Sequence, residues 1–202
     1  MRVVLWCNGD VPSSKVIERV GIEGFQLFGV DGGADKARAA GYEVHEVIGD
    51  MDSVDTEYWN DSIREISDVD SSDLSKALRV VIERGFEEID VLGIEGGSFG
   101  HQLGAIGSMA ESPGGSLVRF HHESGVTHRF HPSMDSMEVI IEDGGIFSVF
   151  ALTSCNRVSI SGSKWEIMDE SLEFSTRGLS NQGNGGVVRI SADGVLAVFL
   201  ED

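Results

Sequence analysis

The spacing of apolar positions divides the chain in two. In the first half, continuous apolar runs alternate with helical periods. RVVLWC (2–7), FQLFGV (25–30), VHEVIG (44–49), EEIDVLGI (87–94) and SLVRFH (116–121) have the length and composition of buried strands. Between the first two, Pro12 and Ser13 open a helical stretch to about Val20. ADKARAAG (34–41) is a short helix stopped by Gly41. In SSDLSKALRVVIERG (71–85), Leu74, Ala77, Leu78, Val81 and Ile82 recur at helical spacing behind a serine cap, and Gly85 ends the run. A further helix covers His101 to Ala110. Strand–helix repetition of this kind predicts a parallel sheet with helices on its faces.

From about residue 126 the pattern changes. VTHRF, MEVII, IFSVFAL, RVSIS, GVVRIS and VLAVFL are short strand-like runs. Asp143-Gly144-Gly145, Asn184-Gly185-Gly186 and Ala192-Asp193-Gly194 read as the turns between them. With the break near residues 112–125, the expectation is an α/β domain at 1–122 with a parallel sheet, followed by a small all-β sandwich at 123–202.

Composition narrows the functional classes. With 202 residues, 41% of them hydrophobic, the chain can bury a real core. No apolar run is long enough for a membrane helix, and MRVVLWCNGD turns polar too soon for a signal peptide. Two separated cysteines, Cys7 and Cys155, make no disulfide framework. A cytoplasmic location is expected. The formal charge of −19, from 34 acids against 15 bases, argues against nucleic acid or an anionic membrane as partner. Only four bases are lysines, and such a surface suits a salty cytoplasm. Repulsion among the acids predicts that the melting temperature rises with KCl well beyond physiological concentration. A flat or falling curve in a thermal-melt series would contradict this.

In open α/β sheets ligands bind beyond the carboxyl ends of the strands. Those ends carry NGD (8–10), DGGAD (31–35), GDMDS (49–53) and GIEGGSFGH (93–101), and DVDSSD (68–73) precedes a helix start. Gly32-Gly33 would let the backbone approach a ligand, and the next helix start suits phosphate. Asp50 and Asp52 flank Met51, so in extended geometry their carboxylates would point the same way and suit Mg²⁺. Asp70 and Asp73 could join them. Lys76 could meet a phosphate or neutralise Asp73. No G-x-x-x-x-G-K-[ST] sequence is present, which excludes a P-loop enzyme.

These stretches, with SVFALTSCNRVSISGSKWEI and LSN in the β half, resemble the thiamine pyrophosphokinases over nearly the whole chain. GDMDS is similar to that family's G-D-x-D-S, and SDLSKAL to its T-D-x-x-K-A-L. The resemblance implies transfer of a pyrophosphoryl group from ATP to the hydroxyl of thiamine, with Mg²⁺ and release of AMP. It implies a homodimer with thiamine between the α/β part of one chain and the β part of the other. Carried over by motif, Asp50, Asp52 and Asp73 would hold Mg²⁺ and the phosphates. Asp31, Gly32 and Gly33 would lie against the nucleotide or thiamine, with Asn8, Ser53, Lys76, Gly96, Gly97 and His101 completing the nucleotide site. Trp165 would stack on the thiamine pyrimidine ring, and Ser180 and Asn181 would bind its polar edge.

The chain departs from the family's G-G-R-x-D-H-x-L-x-N signature. Ser98 stands for the arginine, Gly100 for the aspartate and Ala105 for the asparagine. A serine cannot imitate the bidentate, permanently charged contact of an arginine. Two rival readings follow: pyrophosphoryl transfer to another alcohol such as a hydroxymethyl pterin, or a nucleotide- or thiamine-binding relative without turnover. His121, His122, His128 and His131 are spaced for a hairpin rather than a zinc site. Trp6, Trp59 and Cys7 read as packing residues, and Asp55 and Asp61 as a solvated helix face.

Overall fold

In the computed structural model, which describes residues 1–202, the chain forms two compact units, Met1–Glu123 and Ser124–Asp202. The first holds strands β1 (Arg2–Trp6), β2 (Gln26–Val30), β3 (Glu46–Gly49), β4 (Ile63–Glu65), β5 (Glu88–Leu92) and β6 (Leu117–His122). They pair in the order β6-β5-β1-β2-β3-β4, and every pairing is parallel. Its helices are α1 (Ser14–Val20), α2 (Gly33–Ala39), α3 (Thr56–Trp59), α4 (Asp73–Glu83) and α5 (Phe99–Glu111). The serine caps form as expected: Ser13 accepts from the Val16 N–H, and Ser72 from the Ser75 N–H. Leu74, Ala77, Leu78 and Val81 are the buried stripe of α4. Val4, Trp6, Val16, Val20, Leu27, Ala37, Val47 and Trp59 share one apolar core.

The chain starts at the sheet's centre, runs outward through β2, β3 and β4, and then crosses to β5 on the other side of β1. Loops leaving β1 and β5 therefore diverge at the switch point, where a crevice opens without any special residue.

One charge is built into this sheet. Asp90 on β5 is 1% exposed and accepts bonds from Arg2 Nε at 2.6 Å, Arg119 Nε at 2.8 Å and His121 Nε2 at 2.7 Å. Burial alone would raise its pKa. The bonds from His121, Arg119 and Arg2 and the Arg119 charge outweigh burial and hold it at about 2. Because the folded value lies below the unfolded one, the carboxylate contributes stability above the unfolded value that is lost as pH falls through the folded one. A shift of this size is worth about 2 kcal/mol. Asp90→Asn is expected to be destabilising at neutral pH, with the gap to the parent protein narrowing as pH falls from 3.8 to about 2. Urea midpoints across that window check it; a constant gap would contradict it.

Two short elements escape the sequence pattern. β4 has three residues with none fully buried, and α3 has four. Asp55 is consequently not on a helix face. It is the N-cap of α3 and accepts from the Tyr58 N–H at 3.2 Å.

The second unit holds β7 (Gly125–Phe130), β8 (Met137–Ala151), β9 (Cys155–Ser161), β10 (Ile167–Leu172), β11 (Asn181–Ala192) and β12 (Leu196–Glu201). Their order is β10-β9-β11-β8-β12-β7, all antiparallel. Two expected turns are absent. Asp143-Gly144-Gly145 lies inside β8 and Asn184-Gly185-Gly186 inside β11, with Asn184 opposite Asp143 and a register shift beside them. Gly144 and Gly185 both take φ of 76°. Left-handed glycines on both strands beside this shift bend the two long strands together as a bulge does, rather than ending them. The bend lets β8 pair with β11 along its first part and with β12 along its last, around a core of Phe130, Phe147, Val158, Ile160, Val188 and Val198.

Candidate functional site

A cavity of about 440 Å³ opens at the carboxyl ends of β1, β2, β3 and β5. Cys7, Asn8 and Gly9 line one side, Gly93, Ile94, Gly96, Gly97 and the start of α5 another, and Asp31, Asp52, Ser53 and Asp73 a third.

The carboxylates converge, with one change of membership. Ligand oxygens of Asp31, Asp50 and Asp73 lie within 4.8 Å of one another, and Asp52 is outside that group. The expected extended geometry across Met51 does not form. Strand β3 ends at Gly49 and Met51 takes a left-handed φ of 67°, which turns the chain between the two aspartates. Asp31 comes in from the end of β2 instead, itself left-handed at φ 45°. Its Oδ2 accepts from the Ser53 hydroxyl, while its Oδ1 is buried with no hydrogen-bond partner. Asp73, the first residue of α4, accepts the Asp50 N–H at 3.0 Å.

Lys76 settles one alternative. Its ammonium, 1% exposed, lies 2.9 Å from Asp73 Oδ1 and 3.1 Å from Asp50 Oδ2. Burial would lower its pKa, but the bonds to Asp73 and Asp50 raise it. This one ammonium, bonded to Asp50 and Asp73, is set against the four carboxylates of Asp31, Asp50, Asp52 and Asp73, a surplus of three formal negative charges. Exposed Asp52 shows the surplus: its pKa is raised, first by the charge of Asp50 and then by Asp31. No lysine or arginine lines the cavity. An unpartnered buried carboxylate oxygen among converging oxygens fits a hard divalent cation.

Other predicted residues divide. Asn8, Gly96, Gly97 and His101 line the cavity, and Asn8 Nδ2 donates to Ser53 Oγ at 3.4 Å. Lys36 donates at 2.7 Å to the carbonyls of both Asn8 and Gly9 and fixes that loop. Gly32 and Gly33 do not line the cavity, because the close approach they permit is to their own chain. A Cβ on Gly33 would stand 2.0 Å from the Trp6 carbonyl oxygen, and one on Gly32 2.5 Å from Asn8 Nδ2. Asp70 stays outside the group, its N–H bonded to Asp68. Ser98 is the N-cap of α5 and accepts from the His101 N–H at 3.3 Å. Gly100 and Ala105 face the cavity. Burial and then the charge of Asp73 push the Cys7 thiol to about 12, so it is inert.

Sequence reasoning did not find Ser72 and Ser108, which line the cavity and bond each other at 2.8 Å, joining α4 to α5. Serines carry too many roles for a pattern to single them out.

A second cavity of about 550 Å³ lies within the β unit, lined by Trp165, Glu166, Arg177, Leu179, Ser180 and Asn181 among others. Trp165 is 54% exposed. Asn181 grips its backbone on both sides, accepting the Trp165 N–H at 3.2 Å and donating to its carbonyl at 2.8 Å. The Asn181 amide is thus engaged in holding the platform.

Comparisons with known proteins fit this geometry. The sequence profile described as thiamin pyrophosphokinase, catalytic domain, matches residues 26–116. Among solved structures, the thiamine pyrophosphokinase of Bacillus subtilis superposes with a TM-score of 0.78 at 20% identity, covering 100% of this chain and 99% of that one. That of Geobacillus thermodenitrificans gives 0.77 at 19%, covering 100% and 98%. That of Candida albicans gives 0.73 at 14%, covering 99% and 90%. At such identities the superpositions establish the fold. Among curated proteins, none matches.

Proposed function

The chain belongs to the thiamin pyrophosphokinase family, and from that premise we propose that it transfers pyrophosphate from ATP to the hydroxyl of thiamine, giving thiamine diphosphate and AMP. The observation that carries this is the meeting of Asp31, Asp50 and Asp73 beside buried Lys76 at the sheet's switch point. With Asp52 beside them, four carboxylates are offset by one ammonium, and a polyphosphate cannot approach that surplus without a cation between.

In this reading Asp31, Asp50 and Asp73 hold Mg²⁺, with Asp52 on the open side. When bound, the ion neutralises charge on the transferred group and orients it. Lys76 keeps Asp50 and Asp73 together, and Ser53 orients Asp31. Asn8, Gly96, Gly97 and His101 are the walls against the nucleotide, and Trp165 with Ser180 holds the acceptor ring. Catalysis is then largely positioning and electrostatics. The finer architecture that goes with this function is a nucleotide-binding α/β domain at 1–122 and a β-sandwich at 123–202 that binds thiamine and dimerises. The active form would be a homodimer with shared sites, in the cytoplasm. No helix is long and apolar enough to cross a membrane.

One observation favours a second reading. With Ser98 in place of an arginine, no fixed cation lines the cavity, as suits a binder that does not turn over. Incubation with ATP, Mg²⁺ and thiamine decides. Thiamine diphosphate with equimolar AMP supports the transferase. AMP without thiamine diphosphate means that the group has passed to water, and a diphosphate formed only when a pterin alcohol replaces thiamine points to that other acceptor. Binding of both ligands with neither product establishes the binder.

A further inference from the structure

The indole of Trp165 is already half occupied. Lys164 Nζ stands 4.4 Å from its ring centroid. The ammonium does not rest there loosely, because it donates to Gln182 Oε1 at 2.8 Å, and the Lys164 N–H donates to the Gln182 carbonyl at 2.8 Å. Trp165 lines the cavity of the β unit and Lys164 does not. The ring rather than the ammonium therefore meets the cavity, with the ammonium held against it from outside the lining.

A cation on one face withdraws the negative potential that the opposite face would present to a second cation. Stacking of a neutral ring survives, since it depends on area and dispersion. Of the neighbouring charges, Glu170 and Arg177 pair at 2.6 Å and offset each other. Glu166 lines the cavity and keeps its negative charge, its Oε1 accepting the Gly162 N–H at 2.8 Å. That charge is common to the parent and to any Lys164 variant, so the part played by Lys164 is read in the change of preference between them.

We propose that Lys164 is a specificity-determining residue of this cavity: backing the Trp165 indole, it makes the platform select a neutral aromatic ring and disfavour a positively charged one. This rests on the acceptor reading given above and deepens it. In an acceptor that carries one neutral and one cationic ring, the neutral ring takes the indole and the cationic ring is directed away. Lys164 touches no reacting atom. Its action is through Trp165.

The test uses the full chain and a matched pair of probes: 4-amino-5-hydroxymethyl-2-methylpyrimidine, which is neutral at pH 7, and its N-methylated cation. Thiamine is the control. Affinities come from quenching of the exposed Trp165, Trp6 and Trp59 being buried. The parent protein should bind the neutral probe more tightly. In Lys164→Met the preference should shrink about two- to fivefold, the size of one exposed cation–π contact. Lys164→Arg should keep it, since a guanidinium backs the ring equally well. A cation-first preference in the parent, or an unchanged ratio in Lys164→Met, overturns the proposal while thiamine binding leaves the functional reading standing. Failure of the parent to bind either probe or thiamine overturns both. Unchanged near-ultraviolet circular dichroism in Lys164→Met separates selectivity from a displaced loop.

Discussion

Asp31→Asn is expected to abolish Mg²⁺-dependent nucleotide binding and, in the same protein, to raise the melting temperature without metal. Both effects come from one geometry. The Asp31 carboxylate is 5% exposed, shares a 4.8 Å group with Asp50 and Asp73, and has one buried oxygen without a partner. In the absence of a cation that oxygen is a desolvated negative charge facing two others, with Lys76 committed to Asp50 and Asp73. An amide removes the repulsion and can still accept from Ser53. The same amide is a poor ligand for a hard cation. Turnover, where present, should fall about 100- to 1000-fold, the usual cost of one charged contact in the transition state. Asp52→Asn should weaken Mg²⁺–ATP binding by no more than about tenfold, because its charge is exposed and screened. Calorimetry of Mg²⁺–ATP binding and melts in a chelator measure both halves. Equal losses in the two variants, or a lower melting temperature for Asp31→Asn, would sink the assignment.

That pairing of Asp31 with the GDMDS loop marks where the sequence stopped being legible. The loops of the α/β unit were readable because each buried strand is an unbroken apolar run with a polar or glycine-rich end. Runs such as RVVLWC and FQLFGV announce their own carboxyl edge, and parallel topology brings those edges together. The detail within a loop is another matter. Asp50 and Asp52 look paired only while Met51 is taken as extended, and a single left-handed residue moves Asp52 out and admits a carboxylate from twenty residues earlier. Glycine pairs were ambiguous for a related reason. Gly32-Gly33 reads as an opening for a ligand, yet the space is filled by Trp6 and Asn8 of the same unit. Asp143-Gly144-Gly145 reads as a turn, yet Asp143 pairs with Asn184 of the other glycine-rich triplet and the two strands bend together there. Local sequence states that a tight backbone is needed but not what stands opposite. IMDESL was invisible as a strand because only its two end residues, Ile167 and Leu172, are buried. The Lys164–Trp165 contact joins chain neighbours, and its meaning depends on Gln182 holding the ammonium in place.

Mixing Asp73→Asn chains with Trp165→Ala chains is expected to restore activity that neither possesses alone. Asp73 belongs to the carboxylate cavity of the α/β unit, and Trp165 to the cavity of the β unit. In the proposed transfer an acceptor hydroxyl has to reach the nucleotide, so a working site of that kind would draw on both. In the proposed homodimer each site takes its carboxylates from one chain and its indole from the other. A heterodimer of the two variants then contains one site with both lesions and one with neither. Random exchange makes about half of the dimers mixed, and half of their sites intact, so about a quarter of parental activity should return. Each variant alone should stay at the level set by its lesion, about 100- to 1000-fold down for Asp73→Asn. Subunit exchange followed by assay of thiamine diphosphate, with light scattering at micromolar concentration in parallel, measures it. No recovery in a verified heterodimer would place each site within one chain. An active monomer would remove the shared site altogether.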